Sequence, residues 1–130
     1  MIASTEGITE WEIFWEEGKT YSRLCGSKAK PFTNEILYNI AGMAIEKLVM
    51  GYLMRRNKLP DGHTLRDLMD ALEKEVQLPG TLGRDIRSMD DFQQICAFDT
   101  YTRTVPNDEE MAGIIGLVDC LNIQLSETLS

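Results

Sequence analysis

The chain has 130 residues, 43% of them hydrophobic and 26% charged, with a net charge of −8. That length is close to the common size of one domain and the composition excludes a disordered chain, so a single folded domain over 1–130 is expected. The negative balance works against indiscriminate binding to nucleic acid or anionic lipid, because the mean field repels phosphate. The charge is also uneven: residues 1–18 and 104–130 each hold five acids and no base, which leaves +2 for the middle. A polyanion is repelled by both ends and tolerated by the centre.

Pro31, Pro60, Pro79 and Pro106 divide the chain into helix-length blocks, since proline inside a helix breaks it. The first block, about Thr9–Ser27, opens with acids and carries Trp11, Phe14, Trp15 and Cys25 at mixed spacing, with Gly18 as an interruption. The second places Leu37, Ile40, Ala41, Ala44, Ile45, Leu48 and Tyr52 at helical spacing behind Thr33, a candidate N-cap. It is expected to run from about Asn34 to Asn57, or ~36 Å. The third starts at Thr64, with Asp67 in a capping-box variant, and stripes Leu65, Leu68, Met69, Leu72 and Val76. The fourth, about Thr81–Phe98, carries Leu82, Ile86, Met89, Phe92 and Ile95. The fifth opens at Asn107 with three acids suited to a positive helix end, and stripes Met111, Ile114, Ile115, Val118, Leu121, Leu125 and Leu129. No segment alternates as a strand does, so the expected fold is all-α, an antiparallel bundle of about five helices. At this spacing Trp11, Phe14, Trp15 and Tyr38 read as core or interface before they read as base-stacking platforms.

Cys25, Cys96 and Cys120 are odd in number and far apart, which indicates reduced thiols in a reducing compartment. The N-terminus has acids where a signal peptide needs bases, and the longest apolar runs, Leu48–Met54 and Ala112–Val118, have seven residues. A cytoplasmic protein with no membrane association is expected. His63 is the single histidine, so zinc sites with two imidazoles and the HExxH motif are excluded. Phosphate-cradling glycine motifs and a nucleophile elbow are absent, and neither metal nor cofactor is expected.

What remains is the joint between the second and third blocks, Arg55-Arg56-Asn57-Lys58-Leu59-Pro60-Asp61-Gly62-His63-Thr64. Arginine can hold phosphate oxygens by two parallel bonds, and histidine titrates near neutral pH. A turn leading into a helix start adds backbone N–H groups suited to an anion. The plainer alternative is that the bases complement the negative end of a helix dipole while the histidine decorates a turn.

The stretch Asn34–Lys74, with its long apolar helix, Arg-Arg-Asn end, Pro60 and Gly-His-Thr-Leu-Arg-Asp-Leu at 62–68, resembles a HEPN domain (higher eukaryotes and prokaryotes nucleotide-binding) of the small stand-alone type. The run Phe98-Asp99-Thr100-Tyr101-Thr102-Arg103 before Pro106 resembles the segment that precedes the last helix of that family. The resemblance implies a helical bundle, usually a homodimer, that meets nucleotides or RNA. Members are often paired with a minimal nucleotidyltransferase in a toxin–antitoxin-like set. It also implies a catalytic Arg followed after four to six residues by His. Arg56 and His63 are separated by six residues and Asn57 follows Arg56, within that pattern. Where some toxin members carry Tyr two residues past the histidine, this chain has Leu65.

Three readings follow. In the first the joint binds nucleotide or RNA. In the second the chain is a metal-independent endoribonuclease with His63 as acid or base, Arg56 as phosphate clamp and Asn57 as orienting hydrogen-bonder. Arg55, Lys58 and Arg103 then lend phosphate-binding charge. One histidine cannot readily perform both proton transfers, so cleavage with imidazole at both steps requires two chains to pool their sites, giving a 2′,3′-cyclic phosphate and a 5′-hydroxyl. In the third the bundle is a non-catalytic interaction protein.

Overall fold

The computed structural model describes residues 2–27, 32–92 and 105–129. It contains α1 (Ile2–Gly26), α2 (Asn34–Arg55), α3 (Leu65–Glu73), α4 (Leu82–Ser88) with a 3-10 turn at Met89–Phe92, and α5 (Asp108–Leu129). No strand occurs among the described residues. The all-α bundle of five helices expected from the periodicity is the fold found.

The helix starts lie where the capping chemistry places them. The Thr33 side chain accepts from the Ile36 amide at 3.3 Å, and that of Thr64 from the Asp67 amide at 3.0 Å. Asn107 and Glu110 cap reciprocally: the Asn107 amide donates to Glu110 at 2.9 Å and the Glu110 amide to Asn107 at 2.7 Å. The fourth block differs from expectation. Its helix stops at Ser88 and tightens into the 3-10 turn, and Gln93–Phe98 lie outside the described residues.

α1 also differs, because it passes through Gly18 without a break. A Cβ at Gly18 would stand 2.8 Å from the Leu48 backbone nitrogen on α2. Reciprocally, a Cβ at Gly51 would stand 2.9 Å from the Trp15 nitrogen and 3.0 Å from the Trp11 carbonyl. Gly18 is therefore a point of close backbone approach rather than an interruption. The pairing of 18 with 48 and of 51 with 15 and 11 makes α1 and α2 antiparallel.

α3 and α4 return the chain along α2: His63 meets Glu46, and the buried Tyr38 hydroxyl donates to the Met89 carbonyl at 2.6 Å. Because of that return, α5 runs in the same direction as α2. The Asn34 amide group donates to Pro106 and Asp108 at one end, and Arg55 donates to the Leu129 carbonyl at the other. The Arg87 guanidinium joins α4 to α3 through Asp70 at 2.6 Å and Glu73 at 2.7 Å. Those bonds, Glu73 first and then Asp70, hold it still more firmly in its charged form.

The core centres on α2. Ile45, Leu48, Tyr52 and Leu53 meet Leu68, Met69 and Leu72 of α3, Ile86 and Met89, and Met111, Leu121 and Leu125 of α5. Trp15, Tyr38 and Cys25 are also buried there. α2 is long and apolar enough to cross a membrane by length and composition alone, which the short unbroken runs in the sequence did not suggest; 56% of its most apolar window is buried against the other helices.

Candidate functional site at the junction of α2 and α3

The end of α2 is closed by a Schellman motif. The Asn57 amide donates to the Met54 carbonyl at 3.0 Å and the Lys58 amide to the Leu53 carbonyl at 2.9 Å. The motif needs a left-handed residue, and Asn57 supplies it with φ of 58°. Asn57 is thus the residue that stops α2 two positions before the expected end, and its exposed side chain has no hydrogen bond among the described residues.

Around this turn the basic side chains separate. The exposed Arg56 guanidinium lies 4.7 Å above the ring of Tyr52, which is itself fully buried and whose hydroxyl has no hydrogen-bond partner among the described residues. Arg55 faces the other way: it stacks 4.9 Å from the Trp11 ring on α1 and donates to the Leu129 carbonyl at 3.1 Å. Lys58 borders a concavity of about 250 Å³ beside α3 that also takes Asp61, Asp67, Asp70, Lys74 and Glu75. With four acids to two bases, that concavity repels a phosphate. Arg103 lies outside the described residues.

Past the exposed tip at Leu59, the chain turns through Gly62, where a Cβ would collide with the Asp67 carboxylate. His63 then projects with 68% of its side chain exposed and Nδ1 3.2 Å from the Glu46 carboxylate. A carboxylate on Nδ1 orients the ring and leaves Nε2 facing outward as an acceptor. The sequence reading missed Glu46, which lies 17 residues upstream. Its signal was present: Glu46 and Lys47 are the only charges in the stretch 36–54. Lys47 is used elsewhere, pairing with Glu17 at 3.0 Å and lying 4.5 Å from the Phe14 ring.

Arg56 and His63 are therefore anchored on α2 at Tyr52 and Glu46, six residues apart. That spacing is ~9 Å along a helix axis and roughly 120° around it. Among the described residues the guanidinium and the imidazole keep separate partners on α2, Tyr52 and Glu46, and make no contact with each other. Among the described residues no group of three or more His, Cys, Asp or Glu side chains is placed to hold a metal ion. No protein-family model matches the chain, and no curated protein or solved structure matches it either.

Proposed function

We propose that the protein is a HEPN-like domain that binds nucleotide or RNA at the α2–α3 junction. The observation that supports this is the Arg56 guanidinium held on the Tyr52 ring beside the exposed Asn57–Lys58 turn. Stacking fixes the guanidinium plane while its N–H edge stays available for phosphate oxygens, so little side-chain entropy is lost when an anion arrives. His63, oriented by Glu46, adds an outward ring nitrogen. Arg56 and His63 are held by separate partners, Tyr52 and Glu46, with no contact between them among the described residues, which favours binding over cleavage within one chain. Cleavage is the second reading. With imidazole at both proton transfers it needs a homodimer that brings the His63 of both chains to one site beside an Arg56, and its products carry a 2′,3′-cyclic phosphate.

The acidic first turn of α5, Asp108, Glu109 and Glu110, and the acids of α1 suit docking on a basic partner, of which a minimal nucleotidyltransferase is the type the HEPN resemblance implies. A cytoplasmic setting fits the exposed thiol of Cys120.

Fluorescence anisotropy with a labelled single-stranded RNA tests the binding reading. Affinity should fall with added salt, and the pair Arg56→Glu and Lys58→Glu should lower it by about tenfold or more. Equal affinity in wild type and variant would remove the junction from the function. Incubation of the same RNA with chelator, comparing wild type with His63→Ala, tests cleavage: His63-dependent cyclic-phosphate ends would establish the second reading.

A further inference from the structure

Four of the grooves formed by the described residues differ in the charge of their walls. The one beside Lys58 has four acids and two bases, the one at 73–78 has Glu73 and Glu75 against Lys74, and the one between α4 and α5 has Asp85 and Glu110 with no base. The fourth reverses the sign. It lies where α1 meets the C-terminal ends of α2 and α5, and is lined by Trp15, Lys19, Arg55, Ser126 and Leu129, two bases and no acid. In a chain of net charge −8, that groove offers a small anion more favourable walls than the other three.

We propose that this groove binds the phosphate monoester of a mononucleotide. Lys19, which is half-buried and has no acid partner among the described residues, supplies a point charge from α1. Arg55 is pre-positioned by its stack on Trp11 and by its bond to the Leu129 carbonyl, which uses one of its five N–H donors and leaves others for phosphate oxygens. Ser126 adds a hydroxyl to the lining from α5. Half-buried Leu129 and the small exposed edge of the otherwise buried Trp15 give the groove an apolar side for the base. The volume of about 280 Å³ suits a small molecule rather than a macromolecular surface. The proposal rests on the nucleotide-binding reading but assigns the mononucleotide to a place separate from Arg56 and His63.

Both tryptophans of the chain report on it, Trp15 from the lining and Trp11 from beneath Arg55. Tryptophan fluorescence and calorimetry on the full chain would be followed during titration with AMP, inorganic phosphate and adenosine. AMP and phosphate should bind and perturb the fluorescence, with adenosine weaker than AMP. Lys19→Gln should lower AMP affinity roughly tenfold, Ser126→Ala by less, and Lys19→Gln should leave RNA binding intact. No response to AMP or phosphate, or equal AMP affinity in wild type and Lys19→Gln, overturns the assignment. AMP binding lost in Arg56→Glu but kept in Lys19→Gln overturns it while sparing the junction reading. AMP binding that depends on Lys19 in a chain that binds no RNA upholds the groove and removes only the RNA-binding role of the junction.

Discussion

Gly51 in the last part of α2 and the turn that begins at Arg55 are four residues apart and built on opposite principles. At Gly51 the helix gives up a side chain so that the backbone of α1 can come within van der Waals contact, and its neighbours Leu48, Tyr52 and Leu53 are fully buried. From Arg55 to Leu59 every side chain is exposed, and the turn is held by backbone bonds of a Schellman motif rather than by packing. Buried backbone approach leaves no room for change, because interiors are packed as densely as crystals. An exposed turn held by its own backbone tolerates new side chains, so charge can gather there at little cost in stability. One helix thus carries the rigid seam and the reactive edge.

The contrast predicts a graded set of responses. The largest belongs to the seam: Gly51→Ala should cost about 2–3 kcal/mol, since the added methyl meets backbone atoms that cannot swing away. A shift in urea midpoint equivalent to less than ~1 kcal/mol would mean that the helices part easily, and would dissolve the comparison. Tyr38→Phe comes next. It leaves the buried Met89 carbonyl without its donor and should cost about 1–2 kcal/mol by the same measurement. Thr64→Ala removes the cap of α3 at the foot of the junction and should cost about 1 kcal/mol. Arg56→Ala, at the exposed edge, should change stability by no more than about 0.5 kcal/mol while weakening RNA binding, which separates the two roles of α2 in one variant.

A thiol probe sharpens the same distinction without mutating the seam. Burial pushes Cys25 from its ordinary value of 9.0 up to about 11, so the fold favours the neutral thiol. The stability this adds is fully present below pH 9.0, where the unfolded thiol is also neutral, and is lost as pH rises towards about 11. In a Cys96→Ser background at neutral pH, iodoacetamide should therefore label exposed Cys120 and spare Cys25 until the chain is unfolded. Rapid labelling of Cys25 in the native protein would show that the seam opens.

What could be read from the chain follows from the range of the forces involved. Helix starts at Thr33, Thr64 and Asn107 depend on residues three positions away, so their signals are local and the structure bears them out. The stripes of α3 and α5 were legible for the same reason, since each repeats within one helix. Gly18 was misread because its reason lies on another helix, at Leu48. Asn57 has a local reason, a left-handed helix stop, and that explains its polarity without any ligand. The partner of His63 was hidden by 17 residues of intervening chain, and its contact with Glu46 depends on how the chain after α2 folds back along that helix. Spacing in sequence counted the residues between Arg56 and His63 and said nothing about which side chain of α2 would hold each.

α2 and α5 are both 22 residues long, run side by side in one direction, and are pinned at each extremity by Asn34 and Arg55. Inserting one residue into either would slide its far end by ~1.5 Å and rotate it by roughly 100°, pulling one pin out of reach. The two helices therefore set each other's length. Insertions are admissible only in the connections, and a change in the span of one helix is viable only when the other changes with it.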